Sequence, residues 1–148
     1  MDGPAGSYVG SVYVRYQSPY PDRRGRRIGI FGLVNMLAHR GYLSVDEERF
    51  RRTTNDWYDA TYINPSTVDP TIYADNPHAA SWFKPTAQHL LEPIPGYLEI
   101  LTTHNVPCHR YTSPSPGHVL YEDDHQLVVV PPAPQEPPTT TLWLAPTT

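Results

Sequence analysis

Residues 44–57, SVDEERFRRTTNDW, decide how the rest of the chain is divided. Ser44-Val45-Asp46-Glu47 has the spacing of a capping box, in which the serine oxygen takes the amide of the third helical residue and the glutamate reaches back to the serine amide. Acids at Asp46, Glu47 and Glu48 followed by Arg49, Arg51 and Arg52 suit the partial charges at a helix start. The spacing predicts a helix from Val45 to about Trp57. Upstream, Ile28, Phe31, Leu33, Val34, Met36 and Leu37 recur at three- and four-residue intervals and stop at Gly41, so a second amphipathic helix precedes the first across a short turn, although Gly29 and Gly32 weaken it. A helical hairpin results.

The segments outside this hairpin read differently. Residues 8–17, YVGSVYVRYQ, alternate with a period of two, as a half-buried strand does, and SPYPDRRG then breaks the strand. Asn55 to Lys84 interleaves Trp57, Tyr58, Tyr62, Tyr73, Trp82 and Phe83 with prolines, asparagines and aspartates, and is expected as a long aromatic loop. After Pro85 one short helix to about Leu91 and another from Pro95 to about His104 are expected, with Pro95 in the first turn. PCHRYTS, HVLYE and LVVV, separated by PSPG and DDHQ, then read as a C-terminal antiparallel β-meander. Val128, Val129 and Val130 suit a strand covered on both faces. The expected architecture is therefore a single α+β domain over residues 8–130, with a Pro/Thr-rich extended tail over 131–148 that contains Leu142-Trp143-Leu144.

Composition sets the function classes. The chain has 148 residues, among them 18 prolines, 11 tyrosines and one cysteine, Cys108, which rules out an intrachain disulfide. No run approaches the roughly 20 apolar residues of a membrane span, and MDGPAGS carries no leader signature, so a cytoplasmic protein without membrane association is expected. Nine arginines against five acids give +4 through Arg52, and two cations against ten acids give −8 beyond it, for a net charge of −4. That balance disfavours bulk binding of nucleic acid, leaving Arg23, Arg24, Arg26 and Arg27 as a third-ranked contact for it.

No phosphate-cradling loop, nucleophile elbow or paired-histidine metal motif is present. His104, Cys108, His109, His118, Asp123, Asp124 and His125 supply ligand types without any standard zinc spacing, and no metal or cofactor is assigned. Acid–base chemistry would fall to Asp56, Asp59, His118, Glu122 or Asp124, since two carboxylates in unequal surroundings can divide the acid and base roles. Ligand binding would fall to Asn55, Trp57, Tyr58, Tyr62, Tyr73, Trp82 and Lys84, because flat rings beside hydrogen-bonding groups favour recognition.

The strings NDWYDA (55–60), STVDPTIY (66–73), SWFK (81–84) and PGHVLYEDDHQLVVVP (116–131) resemble a family of small hypothetical proteins of actinobacteria. The resemblance implies a bacterial cytoplasmic setting and brings no activity, cofactor or functional residue with it. The expected function is a non-catalytic binding or regulatory module that uses the aromatic, Asp/Asn-rich region to bind a protein partner or small molecule and could form a homo-oligomer. The alternative is a small accessory enzyme of a biosynthetic pathway.

Overall fold

The computed structural model describes residues 12–132. The first part of the expected strand, including Tyr8, and the tail from residue 133, including Leu142-Trp143-Leu144, lie outside the described residues. In chain order the elements are β1 (Tyr13–Gln17), α1 (Ile30–His39), α2 (Val45–Thr61), α3 (Pro65–Val68), α4 (Ile72–Asp75), β2 (Ala80–Phe83), α5 (Gln88–Leu91), α6 (Ile94–Thr103), β3 (His109–Ser113), β4 (His118–Glu122) and β5 (Gln126–Val130). This is an α+β arrangement, and its residues gather into two compact units.

One unit, Tyr16–Asn64 with His89–His109, is helical. Its α2 begins at the expected capping box: Ser44 Oγ accepts from the Glu47 amide at 3.1 Å, and Glu47 Oε1 accepts from the Ser44 amide at 2.8 Å. Glu48 then takes the guanidiniums of Arg51 and Arg52 at 2.7 and 2.8 Å, one turn on. Pairs of this spacing support a helix that has no fully buried residue of its own. Helix α1 ends where Gly41, at φ 76°, adopts the left-handed conformation. The Tyr42 amide reaches the Leu37 carbonyl at 3.0 Å, and that of Gly41 reaches Ala38 at 3.0 Å. Helix α6 ends the same way around Asn105, at φ 59°, with the Val106 amide on Leu101 at 2.8 Å. Both are Schellman endings, which satisfy the last carbonyls of a helix. Helix α6 packs on both α1 and α2. Ile30, Leu33, Val34 and Leu37 of α1 are buried, as are Ile94, Tyr97, Ile100 and Leu101 of α6.

The other unit contains Pro65–Gln88 and the chain from Arg110 on, with the start of β1. Its sheet runs β3-β1-β2-β5-β4. Strand β2 pairs antiparallel with β5 through Ala80–Val129 and Trp82–Leu127, placing these four side chains on one face, since alternate residues share a face. Trp82, Tyr111, Leu127 and Val129 form the core there, with Tyr13 and Ala80 against it. Val128 points to the opposite face and is also fully buried, so β5 is covered on both sides, in keeping with its continuous apolar run.

The C-terminal strands lie in this antiparallel sheet, and the order is finer than the expected one. β4 and β5 form a hairpin, with a register shift between Val119 and Tyr121, whereas β3 lies at the far edge beside β1. The β3–β4 connection is short, and its Ser115 amide folds back onto Ser113 Oγ at 3.1 Å.

One expectation needs correction. Asn55–Lys84 is not a single loop: α2 runs four residues beyond Trp57, α3 and α4 follow, and Ala80–Phe83 is a strand inside the sheet. Packing of the aromatic side chains supplies what the local propensity of this Asp- and Asn-rich stretch lacks.

Candidate binding surface

In the helical unit, the extension of α2 decides where the aromatic residues stand. Tyr58 follows Thr54 and Arg51 on the inward side of the helix. Its ring meets Phe31 edge-on at 5.0 Å, and its phenol donates to the Leu90 carbonyl at 2.5 Å. Phe31 also meets Tyr97 at 5.1 Å, as does Phe50 from α2. Tyr97 is almost wholly buried and donates its phenol to Asn55 Oδ1 at 2.5 Å. Asn55 Nδ2 in turn donates to Asn35 Oδ1 at 3.3 Å, which also accepts from Arg51 at 3.1 Å. The Asn55 amide is thus a buttress between helices, with both ends engaged.

Burial pushes the phenols of Tyr58 and Tyr97 well above their ordinary range; the neighbouring phenols add to the shift at Tyr58, whereas at Tyr97 the Arg51 guanidinium opposes it and Asp59 adds to it. Tyr62 moves the same way, through burial and then the charge of Glu92. These phenols keep their protons at neutral pH. Tyr58 and Tyr97 are packing groups whose hydroxyls already donate, which is the ordinary fate of a buried tyrosine.

Trp57 is placed differently. Its indole packs against Tyr58 at 5.0 Å and Tyr62 at 5.8 Å, and Tyr62 meets His89 at 5.6 Å, yet 37% of Trp57 remains exposed. Asp56 and Asp59, three residues apart, are exposed on the same stretch of α2. This end of the helix has no basic residue in its last turn. A helix C-terminus carries partial negative charge, so Asp59, in the last turn, stands where the helix itself repels it.

The remaining expected site residues belong to the sheet unit. Trp82 is 4% exposed and fills the core, so it is unavailable as a ligand-facing ring, contrary to its expected role. Lys84 and Glu122 are brought together, Nζ to Oε2 at 2.6 Å, and each neutralises the other. His118 opens β4 and Glu122 closes it, so a strand length separates them. Asp124 is exposed in the β4–β5 turn, and Tyr73 is an exposed residue of α4.

Asp123, which the sequence offers as a ligand type at the predicted hairpin, organises that turn. Asp123 accepts from the amides of His125 and Gln126 at 2.8 and 3.0 Å and from the Tyr121 phenol at 2.7 Å. Burial alone would raise its carboxyl, but these donors hold it below the usual range, while the Tyr121 phenol is pushed up to about 12 by burial and by its bond to Asp123. The signal was the Asp-X-His-Gln spacing, typical of an aspartate bonding to backbone two residues on. Phe31 and Tyr97 as ring partners of Tyr58, and Phe50 as a partner of Tyr97, were not foreseen, because their meeting depends on how three helices pack. Among the described residues no three His, Cys, Asp or Glu side chains converge as metal ligands, and no helix is long and apolar enough to cross a membrane.

Compared with protein-family models, curated proteins and solved structures, the chain gives no match.

Proposed function

We propose that this protein is a non-catalytic binding module that meets its partner through the C-terminal end of α2, with Trp57 at the centre and Asp56 and Asp59 beside it. The observation that carries this reading is the state of Trp57, an indole held by two neighbouring rings and still presented to solvent. A ring already fixed in place loses little conformational freedom on contact, which is why tryptophan is enriched among residues that dominate binding energy.

The state of the titratable groups supports binding over acid–base chemistry. Glu47 is engaged by its capping box and by His104, Glu48 by two arginines, Glu122 by Lys84, and Asp123 by its turn. The buried phenols are already donating. The native mass of freshly purified protein, compared with its denatured mass, tests the proposal. A bound species or second copy that disappears in Trp57→Ala is the expected result; the same bound mass in parent and variant would move recognition away from α2.

A further inference from the structure

The loop between β1 and α1 is a hairpin closed by its own hydrogen bonds, and it divides the arginine cluster in two. The Ser18 amide bonds to the Ile28 carbonyl at 2.9 Å and the Asp22 amide to Arg26 at 2.7 Å, with Gly25 at φ 79° closing the tip. Asp22 Oδ1 accepts from the amides of Arg24 and Arg26 at 2.9 and 2.8 Å. The Arg26 guanidinium folds onto Asp22 Oδ2 at 3.1 Å, and the Arg27 guanidinium donates to the Pro19 carbonyl. Arg26 and Arg27 are therefore spent inside the hairpin.

Arg23 and Arg24 are exposed, and their side chains form no ion pair among the described residues. Beside them Tyr20 is 67% exposed. Its amide donates to Ser18 Oγ at 3.1 Å, and it stands between Pro19 and Pro21, whose rings restrict the backbone. A tyrosine on a restrained backbone and two guanidiniums without an ion pair among the described residues thus share one tip.

We propose that this tip, Tyr20 with Arg23 and Arg24, seats on the Asp56–Trp57–Asp59 end of α2 in a second copy of the chain. The inference rests on the reading of that helix end as a contact surface, and it names the occupant. Charge complementarity carries it. Asp56 and Asp59 form no ion pair among the described residues, and the helix terminus disfavours Asp59. Two guanidiniums answer two carboxylates, and a planar guanidinium also stacks on an indole face. Both surfaces belong to the same compact unit, so every copy carries both halves of the contact. A two-fold pair would make it twice, and a head-to-tail array once per copy. Nucleic acid fits less well, because two guanidiniums neutralise two phosphates while the chain as a whole carries −4.

Sedimentation velocity at low ionic strength over a concentration series tests the proposal, using the full-length parent, R23E/R24E, D56R/D59R and an equimolar mixture of the two variants. R23A/R24A serves as a milder tip variant, and circular dichroism checks that each chain is folded. The parent is expected to self-associate, each reversal to weaken association roughly tenfold or more, and the mixture to recover it. A parent that stays monomeric throughout, or reversals that leave association unchanged, would overturn the inference. If the parent is monomeric while Trp57→Ala still loses a bound species, the occupant is wrong and the contact surface stands. If neither D56R/D59R nor Trp57→Ala changes any bound mass or association, both fall. Retention of parent but not R23E/R24E on immobilised single-stranded DNA, without self-association, would replace the second copy with nucleic acid.

Discussion

The phenol of Tyr97 donates to Oδ1 of Asn55 at 2.5 Å, tying the buried face of α6 to the middle of α2. The two partners are not equivalent. Tyr97 is 1% exposed and, among the described residues, has no other acceptor at its phenol, whereas Asn55 is only partly buried. Asn55→Ala should therefore destabilise by about 1–3 kcal/mol, since it strands a buried donor, and Tyr97→Phe by less, because the freed amide oxygen can take water. Urea denaturation of both variants checks the order. A larger loss in Tyr97→Phe would contradict it.

The α2 cap should be visible in acid. Glu47 accepts from the Ser44 amide and pairs with His104 Nε2 at 2.9 Å. The His104 hydrogen bond, then the Ser44 amide, hold its carboxyl below the ordinary 4.5. A carboxyl lowered in the folded state stabilises above its unfolded pKa, and that stability disappears as pH falls through the folded value. The stability gap between parent and Glu47→Gln should begin to close below about pH 4.5 and go on closing as pH falls through the folded value. Ser44→Ala should cost about 1 kcal/mol. Denaturation across an acid series measures both.

Close packing of α6 on α2 depends on Gly96. A methyl group there would lie 2.4 Å from Cζ of Phe50 and 2.7 Å from Cε1. Gly96→Ala should cost about 1–3 kcal/mol through overpacking, and Phe50→Leu in the same chain should recover part of it. Thermal unfolding of the single and double variants tests this coupling. Simple additivity would place the ring elsewhere.

In alkali the buried phenols act in the opposite sense to Glu47. Tyr58 and Tyr97 are raised chiefly by burial. A raised acid contributes its full stability below its unfolded pKa, here 10.0, and loses it as pH climbs toward the folded value. Stability should therefore fall above about pH 10. Absorbance titration should show these two phenols ionising only with unfolding, and early ionisation of all tyrosines in the folded protein would contradict their burial.

Much of this was legible in sequence where the causes are local. Ser44 and Glu47 announced the start of α2, and Gly41 the end of α1, because a cap is a matter of a few neighbouring residues. The continuation of α2 was not legible. Asn55, Asp56 and Asp59 are poor helix formers, and the packing of Tyr58 on Phe31 and Leu90 that outweighs them joins residues distant in sequence. The same holds for Trp82: ASWF is too short to show a period, and only its pairing with Leu127 makes it a core strand. At the candidate surface the residue types were readable, but which rings are spent was not. Trp57 and Trp82 look alike in sequence, and only the fold distinguishes the presented indole from the buried one.

The most direct test follows the indole itself. With 5-fluorotryptophan incorporated throughout, the fluorine resonance of position 57 is assigned by its loss in Trp57→Phe, and that of position 82 in Trp82→Phe. Spectra of freshly purified protein are then compared with spectra after dilution and removal of any retained species. The account predicts that the Trp57 resonance shifts or broadens on this change while Trp82 stays fixed. A Trp57 resonance that never moves, in protein whose native mass shows a bound species or second copy, would contradict it.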